Sequence, residues 1–299
     1  FYVRIAGLDY CFLYRIILFV SKPQGACMKI LIRFLLIVIL IVSLFILGYR
    51  AVYDFNLIRI GDTFVIQKST PDGYDFLLRI PRGYNDYSGK QPLLIYLHGT
   101  GESGKDINTL KNKDPYFWSQ KTFKDKETAL FPFICVTPVC DTKRWEPYRV
   151  IAMLDQVLSE TKYRFQIDPS RIYLTGYSMG GFGTFETAME YPERFAAIVP
   201  VAGGGEPQRA IKLQHIATWV FHGDNDQTVP FPSSEFVVES MQKLHHQNVR
   251  LTTIKDGGHG IAENIYSRSE LYSWLLRQKL FNDRAGSDSG NFVNRRPSR

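Results

Sequence analysis

Between Arg171 and Pro192 the chain reads RIYLTGYSMGGFGTFETAMEYP, and no other stretch constrains the fold as tightly. A short apolar run ends at Gly176, the pentapeptide Gly176-Tyr177-Ser178-Met179-Gly180 follows, and a run with helical periodicity comes next. A strand that turns into a helix within about one residue needs glycine on both sides of the turn, because a Cβ at either place would collide with neighbouring backbone. Such a turn holds the serine in a strained conformation. It lifts the hydroxyl off the carboxyl edge of the sheet and aims the helix amino terminus at it.

The rest of the sequence supplies that sheet. Short apolar runs alternate with amphipathic stretches, the pattern of βαβ units around a largely parallel sheet. Strands are expected at 76–80, 93–97, 133–137, 172–175, 197–201, 218–221 and 251–254, and helices at 148–162, 180–190, 233–246 and 263–279. Two connections stand out. The segment from Thr100 to Phe131 carries Tyr116, Phe117 and Trp118, and a loop that long is expected to be functional or flexible. Only sixteen residues separate Val201 from Thr218, too few for an inserted lid domain, so an open site is expected.

Composition adds limits. At 45% hydrophobic and 22% charged residues the chain is globular rather than disordered. Its net charge of +7 gathers partly at the two ends, and no basic stripe crosses the centre, so no nucleic-acid partner is expected. Cys135 and Cys140 are read as free thiols, and no cysteine spacing suits zinc. From Phe34 to Gly48 the sequence FLLIVILIVSLFILG is apolar apart from Ser43, with Lys29 and Arg33 before it. That is the pattern of an export signal or a signal-anchor, with the body on the non-cytoplasmic side, periplasmic or extracellular. The expected organisation is an upstream extension at 1–27, a signal peptide or anchor at 28–50 (its apolar part ending at 48), a folded domain at 51–283 and a disordered tail at 284–299.

Chemistry follows from Ser178. A serine hydroxyl is a weak nucleophile until a base takes its proton. His259, in Gly257-Gly258-His259-Gly260 after the last expected strand, is the candidate base. His98 and His222 each end a strand before a glycine and are read as bonding nearby loops; His245 and His246 are placed on a polar helix face. The acid comes from Asp224-Asn225-Asp226, and Asp226 is chosen over Asp224. The order Ser, Asp, His then leaves room for one βα unit between the last two. The Leu97-His98-Gly99-Thr100-Gly101 turn supplies an oxyanion hole, with the amides of Thr100 and Met179 as its donors. Tyr177, beside the nucleophile, is a candidate substrate contact.

With these residues in place the chain resembles the α/β-hydrolase esterases related to polyhydroxybutyrate depolymerases, feruloyl esterases and the predicted-peptidase group. The resemblance runs from about Asp62 to Gln278 through YLHGTGESG, DPSRIYLTGYSMGGFGTFETAMEYPERFAAIVPVAGG, VFHGDNDQTVP and GGHG. It implies the α/β-hydrolase fold without a lid, and a triad completed by Asp226 and His259. It also implies Trp145 lining the acyl or leaving-group site, with loop packing as the competing reading. Gly260-Ile261-Ala262 departs from the more polar, Trp-containing segment of relatives, so the substrate does not carry over. The implied activity is hydrolysis of a small or polymer-linked carboxylic ester, with no metal or organic cofactor. Peptidase activity on the same triad and an inactive binding protein are the alternatives.

Overall fold

The computed structural model describes residues 25, 36–39, 41–43, 45, 63–67, 72–80, 89–122, 131–161 and 166–280. The chain divides into two units, Phe1–Arg59 and Ile60–Arg299. In the first, the described residues between 36 and 45 are helical and expose their apolar side chains. The expected extension at 1–27 and tail at 284–299 lie outside the described residues except for Gly25, as does most of the leader at 28–50. Among the described residues no helix is long and apolar enough to cross a membrane.

The second unit is built on an eight-stranded sheet. Its strands are β1 (Thr63–Gln67), β2 (Phe76–Ile80), β3 (Gln91–Leu97), β4 (Ile134–Pro138), β5 (Ile167–Tyr177), β6 (Ala197–Val201), β7 (Ala217–Gly223) and β8 (Val249–Ile254). They lie in the order β1-β2-β4-β3-β5-β6-β7-β8. Pairing is antiparallel from β1 to β2 and β2 to β4, and parallel from β4 through to β8. This is the α/β-hydrolase arrangement that the sequence led us to expect.

Period-2 alternation sends each strand's side chains to two cores. Leu93, Ile95 and Leu97 join Ile172, Leu174, Ile198 and Val220 on one face, under α2 (Pro147–Thr161), α3 (Met179–Glu190) and α4 (Pro232–Lys243). Leu94, Tyr96, Tyr173, Val199 and Trp219 pack on the other, under α1 (Pro115–Thr122), α5 (Ala262–Tyr266) and α6 (Ser269–Leu276). Because both faces are covered, β2, β3, β4, β6 and β7 are buried along their whole lengths. The inner strands therefore read as continuous apolar runs rather than alternating ones.

Three expectations need correction. Strand β1, with the five residues TFVIQ, is not among the strands expected from the sequence. The helix expected over 263–279 is two helices, broken where Arg268 turns extended and the Ser267 hydroxyl bonds back to the Glu263 carbonyl at 2.5 Å. The 100–131 segment, expected to be a functional or flexible loop, carries two 3₁₀ turns, at Thr100–Glu102 and Ile107–Asn112, and then α1. Tyr116 is buried, and Trp118 stacks on Tyr266 at 5.5 Å between ring centres.

A buried ion pair pins that segment. Arg79 of β2 donates through Nε and Nη2 to Asp114 Oδ2 at 3.1 and 2.9 Å, and through Nη2 to the Lys111 carbonyl. Its guanidinium also lies 4.2 Å over the Tyr116 ring. Asp114 Oδ1 accepts from the Phe117 amide at 2.8 Å, a cap for α1. Removing one partner of such a pair leaves a desolvated charge facing apolar surroundings, so Asp114→Ala is expected to lower unfolding free energy by about 3 kcal/mol. Urea unfolding measures this directly, and a loss under about 1 kcal/mol would mean that the ion pair contributes little to holding the segment.

Candidate active site

The turn between β5 and α3 is made by a single residue. Ser178 has φ 57° and ψ −118°, a conformation disfavoured for a residue with a Cβ. Its amide donates to the Val201 carbonyl at 2.9 Å, which ties it to β6. A Cβ on Gly180 would lie 1.8 Å from the Leu97 carbonyl oxygen, and one on Gly176 would lie 2.3 Å from the Gly180 carbonyl oxygen. Both glycines are thus required by backbone approach. Gly181 and Gly203 meet in the same way on the β6 side.

The loops after β7 and β8 bring two side chains to this serine. His259 Nε2 lies 2.8 Å from Ser178 Oγ, and His259 Nδ1 lies 2.7 Å from Asp226 Oδ2. The two loops are held together by their own close approach. A Cβ on Gly223 would lie 2.1 Å from the Gly257 carbonyl oxygen, to which the Asn225 amide donates. Asp226 Oδ1 accepts from the amides of Thr228 and Val229, each at 2.9 Å. Burial alone would push the Asp226 carboxyl up; the bonds from His259, Val229 and Thr228 outweigh it and hold the group below the usual carboxylate range. The acid is therefore ionised, and its Oδ2 faces the Nδ1–H of His259. Asp224, the other candidate, is exposed, with its amide on the Ile254 carbonyl.

Thr100 and Met179 stand at the first positions of a 3₁₀ turn and of α3, where amides have no acceptor within their own helix. A Cβ on Gly99 would lie 3.4 Å from Ser178 Cβ, which sets the Thr100 turn beside the nucleophile. The Ser103 hydroxyl, 3.8 Å from Met179 Sδ, links the two segments.

His98 carries the turn. Its Nε2 accepts from the Cys140 amide at 3.0 Å, so the neutral ring holds its proton on Nδ1, 2.7 Å from the Gly99 carbonyl. The Cys140 carbonyl accepts from the Gly104 amide. Cys135 and Cys140 are buried free thiols.

Trp145 is packed inside the core, in keeping with the loop-packing reading. It is 1% exposed, its indole N–H donates to the His98 carbonyl at 3.1 Å, and its ring packs against Tyr74, His98 and the flat face left by Gly183. It supports the His98–Gly99 turn from inside the core. Tyr177 is half-buried, but its hydroxyl donates to the His259 carbonyl at 2.9 Å, and its ring lies 5.1 Å from the imidazole. Its polar end is thus committed to the base's loop rather than offered to a ligand. His246, expected on a helix face, lies past the end of α4 and is buried, with Nε2 against the Leu213 and Ile216 carbonyls. The sequence reading gave His222 only a loop bond; in the structure it lies beside Asp226, with Nε2 3.4 Å from Oδ2.

Fold and site together place the chain among proteins of α/β-hydrolase fold that present a serine, a histidine and an aspartate in one hydrogen-bonded row. Comparison with known proteins agrees on the fold. Residues 148–268 match the sequence profile of the phospholipase/carboxylesterase family. The chain is 25% identical over 164 residues to the bifunctional acetylxylan esterase/xylanase XynS20E of Neocallimastix patriciarum, covering 52% of this chain and 22% of that protein. It is 27% identical over 162 residues to the probable feruloyl esterase C of Aspergillus terreus, covering 53% of this chain and 57% of that one. The crystal structure of a thermostable esterase superposes with a TM-score of 0.62 at 28% identity, over 72% of this chain and 63% of its own. The chain thus spans less than two thirds of the length of each of these relatives.

Two expectations follow from the site. Trp145→Phe keeps the packing and strips the donor from the buried His98 carbonyl, which costs about 1–3 kcal/mol of stability. In ester hydrolysis it should lower kcat more than it raises KM; a rise in KM alone would return Trp145 to the substrate wall. The second concerns pH. Burial holds His98 and His222 below the usual imidazole range, against the pull of the Gly99 carbonyl on one and of the Val229 carbonyl and Asp226 on the other. In the unfolded chain both titrate near about 6.5, so as pH falls the unfolded state binds protons first. Stability should therefore decline from about pH 6.5 downward. Urea midpoints that stay level from neutral pH to pH 5 would contradict this.

Proposed function

We propose that the protein is a serine carboxylic-ester hydrolase acting through an acyl-enzyme. The observation that carries this reading is the row Ser178 Oγ, His259 Nε2, His259 Nδ1 and Asp226 Oδ2, with contacts of 2.8 and 2.7 Å. Ser178 Oγ attacks the ester carbonyl carbon while Nε2 of His259 takes its proton. Asp226 keeps the imidazole in the Nδ1–H tautomer and stabilises the imidazolium without accepting the proton. The carbonyl oxygen, now negative, is held by the amides of Thr100 and Met179, a pair whose single loss typically costs about 10²–10³-fold in kcat. Collapse expels the alcohol, which takes the proton from Nε2. Water then repeats the sequence on the acyl-enzyme, frees the acid and restores Ser178.

The substrate we infer is a bulky or polymer-linked ester outside the cytoplasm. Support comes from the short β6–β7 connection, too short for an inserted lid domain, and from the ester-cleaving names of the relatives. The basic-then-apolar leader from Lys29 to Gly48 supports export or anchoring.

The test uses the full chain with p-nitrophenyl esters of increasing acyl length. Hydrolysis by the wild type that falls at least about 10³-fold in Ser178→Ala is expected. Activity that survives the substitution would show that another residue is the nucleophile.

A further inference from the structure

His222 is a buried titratable side chain against the site that the mechanism above leaves without a task. It sits near the end of β7 with no exposed side-chain surface. Its Nε2 faces two acceptors: the Val229 carbonyl at 2.9 Å and Asp226 Oδ2 at 3.4 Å. A ring nitrogen facing only acceptors carries a proton. Its Nδ1 lies 2.7 Å from Ser234 Oγ in α4, and that oxygen is 2.7 Å from the Gly203 carbonyl. Ser234 is fully buried as well.

These contacts close a circuit around the nucleophile. Gly203 abuts Gly181, three residues after Ser178. From Gly203 the path runs through Ser234 and the His222 ring to Val229, whose amide donates to Asp226 Oδ1. Asp226 Oδ2 then leads through His259 back to Ser178. The His222 ring thus fixes the carbonyl of the same residue whose amide fixes the acid. Its Nε2–H dipole also points its positive end at the oxygen that His259 uses.

We propose that His222 is a positioning residue for the acid of the triad: it holds the Asp226–Val229 turn in place and shares Asp226 Oδ2 with His259. In doing so it sets the pH range over which His259 acts as a base. The assignment rests on the hydrolase reading. The titratable groups facing His222 are Asp226, on its own loop, and His259, from the loop after β8. Its other neighbours are Phe231, Ser234 of α4, the cross-strand partner Thr253 of β8 and the two carbonyls, none of which titrates in the working range. Taking the Nε2–H dipole away concentrates negative charge on Oδ2. That favours the imidazolium of His259 and moves the acid limb of activity to higher pH.

His222→Gln and His222→Asn separate this role from packing. The glutamine amide reaches the Nε2 position and can donate to Val229; the asparagine amide reaches only the Nδ1 position, next to Ser234. The readout is the rate of fluorophosphonate labelling of Ser178 against pH in the full chain, which needs no knowledge of the substrate. In His222→Asn the plateau rate should fall about tenfold and the acid limb should move up by about half a pH unit; His222→Gln should restore the wild-type limb. Coincident profiles for the two variants, or a rate loss with the limb unmoved, would overturn the assignment. Should His222→Asn fail to fold, Ser234→Ala takes its place. The same upward shift supports the assignment, and a wild-type profile overturns it. An unlabelled wild type sinks the hydrolase reading and this assignment with it, whereas a labelled wild type with indifferent variants sinks this assignment alone.

Discussion

The approach of α3 to β3 is the constraint on which the other features of the site depend. The Gly180 position passes so near the Leu97 carbonyl that any side chain there would overlap it, and Gly176 passes as near to Gly180. This contact forces Ser178 into a positive φ, and the strain is borne by a turn anchored on both sides. It also sets the distance between the start of α3 and the Gly99–Thr100 turn. The proposed oxyanion donors and the nucleophile therefore share one backbone contact as their common reference. A Cβ at residue 180 would move both at once.

The second reference is the Asp226 carboxylate. Buried carboxylates tend to pick up a proton, and this one is kept ionised by donors on both oxygens: Thr228 and Val229 on Oδ1 and His259 on Oδ2. Those donors come from two loops that would drift independently if Gly223 and Gly257 were not in contact. Electrostatics and packing are not separable here, because the charge state of the acid depends on a glycine contact that carries no charge.

Much of this was legible in the sequence, for an identifiable reason. The inner strands are buried on both faces and so appear as unbroken apolar runs, and the elbow glycines announce a backbone contact that no other residue permits. The segment after the seventh strand offered Asp224 and Asp226, and it is the chosen Asp226 whose side chain meets His259. What was not legible has a common cause: it depends on which partner a side chain meets across the fold. Trp145 looks the same in sequence whether it lines a cavity or supports the carbonyl of His98. Tyr177 gives no sign that its hydroxyl is spent on the His259 loop, and His222 none that it touches the acid. The length of the 100–131 segment suggested a functional or flexible loop, and its aromatics at 116 and 118 gave no sign of their partners, because Arg79 and Tyr266 lie far away in the chain.

The β6–β7 connection bears on how such a site would work. It consists of a loop and one 3₁₀ turn, Pro207–Leu213, packed against α3 and α4. His259 keeps 20% of its side chain open to solvent while Asp226 keeps none. The row of groups is therefore dry at the acid end and wet at the nucleophile. Electrostatic stabilisation of a developing oxyanion is strongest where water is excluded, and with no lid from this connection much of that exclusion falls to the substrate itself. A large acyl or alcohol group lying over Ser178 would displace the water that a small one leaves behind. If the site is open in this way, substrate bulk enters the rate through the dielectric around the oxyanion as well as through binding.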